Sequence, residues 1–345
     1  MTIEEAQSIM NQLQELEFPR SMAKARQISL LKAGAIPTMS KLFLATGQNS
    51  RRNAGRRVVD TEILLREAQS KSRDSDRYAT AVSRMNYLHN RCRRANKITD
   101  NDLLHTLGDS LISIFEVVNK DEWRKLTDAE KCAAGVFHKI LGDDMKIPYD
   151  VLPSHNEGWR DGLHFANELT EWVVQYENEV ARPSEATNHY TLAADMNDIM
   201  MQSLNLESPG TVLSTALLAY RNVRKLYLRH LSLPRPTSSA VRLVDDAVNS
   251  QSKLYNFQRK VLQPWYMKPT FWSTWGPAAL LLRSLGAKAP GSQGDRYYPQ
   301  GYDLMTIGPE PQKGKGIDEM TSDIETIKGR GVATCPFSHA KAGYI

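Results

Sequence analysis

Thr99-Asp100-Asn101-Asp102-Leu103-Leu104-His105-Thr106-Leu107-Gly108-Asp109-Ser110-Leu111-Ile112-Ser113-Ile114 is the stretch that decides the fold. Thr99 and Asp102 stand three apart, the spacing at which a hydroxyl and a carboxylate cap each other's backbone N–H groups at a helix start. Leu104, Leu107, Leu111, Ile114 and Val118 then recur at three and four residues, which places them on one helical face. Working outward, the same period returns almost everywhere. It predicts helices over about 3–16, 58–93 with a break near the polar residues 70–76, 158–176, 185–204, 211–231 and 238–261. Thr127 and Glu130 announce another helix start. No alternating runs flank a hairpin turn, so the fold class is all-α.

The 345 residues are more than one ordinary domain needs, at about 100–200 residues per domain. We read residues 1–285 as one large helical domain able to enclose a cofactor, and 286–345 as an extended or partly disordered Gly/Pro-rich tail. A net charge of +5 from 44 basic and 39 acidic residues is mild. The basic runs at Arg51, Arg52, Arg56, Arg57 and at Arg91, Arg93, Arg94, Lys97 lack interleaved aromatics, so no nucleic-acid partner is expected. Three widely spaced cysteines, Cys92, Cys132 and Cys335, suit a reducing compartment. No secretory leader and no run of roughly 18 apolar residues is found. The expected location is therefore intracellular, cytoplasmic or peripherally associated with the ER. The apolar segment around Ala278, Leu280, Leu281 and Leu282 is too short to span a bilayer but suits a membrane surface or a cap on the core.

Several chemistries are excluded by missing motifs: a phosphate loop, a dinucleotide-binding GxGxxG, HExxH, Glu-x-x-His and GxSxG. Eight histidines in a helical chain remain. An inward imidazole beside a pocket is the usual ligand of haem b. His105 carries Gly108 three residues on, where a missing side chain leaves room for a flat macrocycle, and Asp109 four on, placed to accept the second ring N–H. Arg84 and His89 share the preceding helix about 140° apart, so one is expected to hold a carboxylate while the other faces iron. Glu67 on a largely apolar helix is a candidate base, His164 a further cofactor contact, and Cys335-Pro336 a thiolate alternative. On spacing alone, each of these histidines equally reads as a core residue satisfied by a polar neighbour.

Taken together, Asp60-Thr61-Glu62-Ile63-Leu64, Arg84-Met85-Asn86-Tyr87-Leu88-His89, Ile98 to Leu107, Glu122-Trp123-Arg124, Asp161-Gly162-Leu163-His164 and Leu231 to Pro236 resemble the fungal MpaB-type oxygenases and, more distantly, the bacterial rubber oxygenases (latex-clearing proteins). The resemblance implies a haem b-dependent oxygenase of all-α fold that cleaves C=C bonds in prenyl-type or terpenoid substrates. Its partners would be O₂ and a small apolar molecule, and the chain itself is read either as a soluble member or as one in peripheral contact with a membrane. It implies iron on His105, with His89 as the rival ligand because many fungal members carry Tyr at the position of His105. Glu67 would take an allylic proton and Arg84 would orient it. Tyr87-Leu88 stands where rubber oxygenases have Lys-Thr. The alternative is a non-catalytic lipid- or terpenoid-binding protein of the same fold.

Overall fold

Thr99 and Asp102 do form the reciprocal cap that their spacing predicts, and Thr127 with Glu130 forms a second. In the computed structural model, residues 1–48, 53–181, 211–248, 253–259, 262–332 and 335–337 are described. Their regular structure is helical apart from one four-residue strand and two isolated bridges. The chain divides into two compact units.

The first unit comprises Met1–Asn49, His89–Ala240 and Arg330–Ile345. Its helices are α1 (Ile3–Gln12), α2 (Pro19–Lys32), α3 (Pro37–Ala45), the end of α5 (Asp76–Arg94), α6 (Asp100–Asp121), α7 (Asp128–Asp144), α8 (Gly162–Val180) and α9 (Thr211–His230). The α6 stripe of Leu104, Leu107, Leu111, Ile114 and Val118 is buried, as predicted. α6 packs against α2 and α8, and α7 packs against α1 and α8. Two glycines make the α7–α8 approach this close: a Cβ on Gly135 would lie 1.8 Å from the Gly162 carbonyl oxygen. No side chain fits there, so backbone meets backbone.

The second unit comprises Ser50–Leu88 and Val241–Gly329. It holds α4 (Ala54–Ser70), α5 as far as Leu88, the single-turn α10 (Phe271–Trp275), α11 (Pro277–Ser284), a four-residue strand β1 (Ser292–Asp295) and α12 (Ile317–Gly329). The predicted break between α4 and α5 falls at Lys71–Ser75, where the Ser75 hydroxyl accepts from the Tyr78 N–H and restarts the helix.

Two expectations change here. The helix predicted over 238–261 does not form in its described residues. They hold a short turn at Thr237–Ser239 and the antiparallel bridges Val244–Phe257 and Tyr255–Tyr302. Phe257 and Tyr255 donate their N–H groups to Tyr266 and Tyr302 instead of to a helical turn, because burying these aromatics brings distant backbone within reach. Residues beyond 285 also do more than trail. Tyr297, Tyr302, Leu304, Ile307, Met320 and Ile327 are buried, and the second unit runs across the expected boundary. Glycines there supply left-handed turns, with φ of 115° at Gly301 and Gly308, and so fold the segment back. The helix expected over 185–204 lies outside the described residues.

Candidate functional site

Within the first unit, α2, α6 and α8 each bring ionisable groups to one buried point. Lys32 closes α2; its ammonium lies 2.5 Å from Asp109 Oδ1 and 2.9 Å from Glu177 Oε1. Glu177 Oε1 is also 3.2 Å from His105 Nε2, and the Ser113 hydroxyl donates to Asp109 Oδ1 at 3.5 Å. The Tyr176 ring lies 5.5 Å from the imidazole, and its hydroxyl donates to Asp102. All four charged or titratable members are buried. Burial opposes the charge on Lys32, but Asp109 and Glu177 outweigh it and raise the lysine pKa. Burial raises Asp109 against the pull of Lys32. It opposes ionisation of Glu177 too, yet His105 and Lys32 carry that pKa down.

This arrangement corrects two expectations about His105. Its carboxylate partner is Glu177, from a helix 72 residues away in sequence, and Asp109 is taken by Lys32. The notch at Gly108 is filled: a Cβ there would lie 2.5 Å from Val173 and 2.9 Å from Leu169. Gly108 admits α8, and no macrocycle shares that space. Among the described residues, His105 Nδ1 and Asp109 Oδ2 find no hydrogen-bond partner, although both are buried.

His89, near the C-terminal end of α5, differs in kind. Burial, helped by the nearby Arg93 charge, pushes its imidazole down to about 4, so the ring is neutral at physiological pH. Its Nδ1 is buried and has no hydrogen-bond partner among the described residues, while part of the residue stays accessible. His138, which no motif marks, is also held neutral near 4 by burial, but both its nitrogens are engaged: Nδ1 donates to the Ala134 carbonyl at 2.7 Å and Nε2 meets Ser110 at 3.5 Å. His164 lies in the first turn of α8, half-exposed, 3.0 Å from Glu168 and accepting from the Arg160 N–H. Its partners are local helix-start groups. Cys335 is half-buried and forms no disulfide among the described residues.

In the second unit, Glu67 of α4 is fully buried. Arg77 grips both its oxygens, at 2.8 and 2.5 Å, and the Tyr302 hydroxyl donates to Oε1 at 2.7 Å. Two turns earlier, Asp60 accepts from the Tyr266 hydroxyl at 2.7 Å; burial lifts its pKa to about 6. Arg84 of α5 is fully buried, and among the described residues its guanidinium meets carbonyls and a sulfur instead of a carboxylate. Nε donates to the Ile307 carbonyl at 2.8 Å, Nη1 reaches Lys315 O and Met320 Sδ, and Nη2 reaches Thr306 O and Gln312 O. Every one of these bonds is directed at the 306–320 segment, so Arg84 holds that segment where the sequence suggested a carboxylate ligand.

Lys32, Glu177, Arg77, Tyr302, Asp60 and Tyr266 could not be picked out from the sequence. Their partners lie on other elements of the fold, so no spacing within one helix signals them. A lysine ending a helix and a glutamate on a polar-looking helix end read as solvent-facing.

The fold and its buried centres define an all-α protein that keeps acids, bases and neutral imidazoles in its interior. It is 33% identical to the ER-bound oxygenase mpaB′ of Penicillium brevicompactum over 98% of this chain and 85% of that protein. It is likewise 33% identical to the ER-bound oxygenase mpaB of the same fungus, over 93% of this chain and 79% of the relative. The mpaB of Penicillium roqueforti (strain FM164) is 40% identical over 51% of this chain and 60% of that protein. No protein-family model and no solved structure matches the chain. The chain belongs to the MpaB-type oxygenase family.

Proposed function

We propose that the protein is a haem b-dependent oxygenase acting with O₂ on a small apolar, unsaturated molecule of the terpenoid or prenyl class. Family membership supports the oxygenase part. The cofactor part rests on one observation, the neutral, partly accessible imidazole of His89 with a buried ring nitrogen that no described protein group satisfies. Such a nitrogen suits a metal ligand, which must be unprotonated. His105 suits it less, since its Nε2 belongs to the Glu177–Lys32 network and the space at Gly108 is filled. We therefore assign the iron-ligand role to His89.

When bound, the haem supplies the one-electron chemistry that O₂ needs to react with a closed-shell hydrocarbon. The protein's own groups take supporting parts. Arg84 fixes the 306–320 segment through its five bonds. Glu67, preoriented by Arg77 and hydrogen-bonded by the Tyr302 hydroxyl, is the carboxylate we propose as base. A location in the cell interior with peripheral ER contact is part of the same reading.

The test is O₂ uptake by the haem-supplemented protein on addition of prenyl-type alkenes, followed by mass spectrometry of products formed under isotopically labelled O₂. Substrate-dependent uptake with label in a carbonyl product is the expected outcome. Uptake independent of every alkene offered, with no label in any product, would overturn the reading.

A further inference from the structure

In the second unit, α10 and α11 present an apolar face that the described residues leave uncovered. Phe271, Trp272 and Trp275 on α10, and Leu280, Leu281 and Leu285 on and just after α11, are all exposed, Trp272 at 68% and Leu281 at 65%. The underside is anchored: Gly276 and Ala279 are buried, Thr270 and Ser273 cap α10, and the Lys288 N–H donates to the Leu262 carbonyl. The outward face is therefore a fixed feature of a folded element. Six large apolar side chains exposed within residues 271–285 mark a surface built for interaction.

The composition around it selects the occupant. Between Asp246 and Asp295 the chain has no acidic residue. Lys268, Arg283 and Lys288 flank the face and are exposed, and the Arg283 guanidinium stacks over the Trp275 ring at 5.0 Å. Exposed tryptophans beside leucines, in a stretch of chain whose charged residues are all basic, match the boundary between acyl chains and anionic headgroups. At five and eight residues the two helices are too short to cross a bilayer, and no single described helix is long and apolar enough to do so. A protein partner of ordinary composition would bring its own need for charge matching, which this surface answers only on one side.

We propose that α10 and α11 form a monotopic membrane dock, in which Phe271, Trp272, Trp275, Leu280 and Leu281 enter the interface of an anionic phospholipid bilayer and Lys268, Arg283 and Lys288 engage its headgroups. The dock deepens the peripheral ER contact of the proposed function, and its test requires neither haem nor turnover.

Sedimentation of the full chain with liposomes tests it, using phosphatidylcholine alone and phosphatidylcholine mixed with phosphatidylserine. The wild type is expected to pellet with the mixed vesicles and less with the neutral ones. Trp272→Ser/Leu281→Ser removes two exposed side chains, so the thermal midpoint should stay put while vesicle affinity falls by at least roughly tenfold. Lys268→Glu/Lys288→Glu should weaken binding to the mixed vesicles alone, by roughly fivefold or more per charge, and increasingly so in low salt. A wild type that stays in the supernatant, or a Trp272→Ser/Leu281→Ser variant that pellets unchanged, would overturn the dock. So would a wild-type dimer in solution that this variant dissolves, since the face would then belong to a second copy.

Discussion

Lys32 is the residue on which the first unit's buried centre depends. Its ammonium compensates Asp109 and Glu177 together, and both carboxylates are shut away from water. Removing one partner of a buried ion pair strands the other, at a cost of about 3–5 kcal/mol. Lys32→Met should therefore lower stability by that amount in urea unfolding. His105→Gln should cost distinctly less, because Glu177 keeps its lysine. Equal losses from the two would contradict the arrangement. His138 provides a pH readout. Its pKa is about 4 in the folded protein, against 6.5 when exposed. Between those values the unfolded chain holds a proton that the folded chain refuses. Stability from this group thus falls as pH drops from 6.5 toward 4, by about 1.4 kcal/mol per unit, and levels off below. His89, also held near 4, adds a slope of the same sign, and Asp60, raised to about 6, works in the opposite direction over part of that range, so the net wild-type profile mixes all three. The difference between wild type and His138→Gln isolates the histidine: the variant's stability should decline less steeply between the two histidine values, about 4 and 6.5. Parallel profiles would show that His138 is not held neutral.

At the scale of elements, small residues set how closely helices approach. Gly135→Ala would drive a methyl into the Gly162 carbonyl, and backbone cannot step aside. Gly108→Ala meets side chains of Val173 and Leu169, which have some freedom to turn. Overpacking of the second kind costs about 1–3 kcal/mol. The thermal midpoint should drop more for Gly135→Ala than for Gly108→Ala, and the reverse order would contradict the α7–α8 packing. Arg84 organises a loop in the same sense: Arg84→Met leaves the carbonyls of 306–315 without this donor, and limited proteolysis should then cut that segment first. Unchanged cleavage would contradict the cradle. Element starts were the most legible feature, because Thr99–Asp102 and Thr127–Glu130 are local signals read within one turn. The break between α4 and α5 was legible for the same reason. The segment 238–261 misled because its apolar spacing suits a helix, while its backbone finds partners at Tyr266 and Tyr302. Gly108 misled in a related way. A glycine one turn from a histidine marks space, but only the neighbouring α8 decides who fills it.

For the whole molecule, the helical class could be read from period alone, and membership of the MpaB-type family agrees with the motifs that carry the resemblance. The division of the chain could not. Helix α5 contributes residues to both compact units, and the glycine-rich end contributes buried aromatics to the second. Nor could Glu177 as the partner of His105, or Tyr302 as a partner of Glu67, be found, since they lie 72 and 235 residues away. What distinguishes His89 from His105, which also has an unsatisfied ring nitrogen, is likewise a property of the folded chain: a neutral, partly accessible ring, where His105 is fully buried and tied through Nε2 to Glu177. The central claim is that this nitrogen carries haem iron, and the most direct measurement is the absorption spectrum of the purified protein during haem titration, repeated on His89→Ala and His105→Ala. The account predicts a Soret band that saturates at one haem per chain, is lost in His89→Ala, and persists in His105→Ala even as that variant loses stability. A wild type that stays colourless through the titration would contradict haem dependence and leave a helical lipid- or terpenoid-binding protein; a band lost in His105→Ala alone would return the iron to His105.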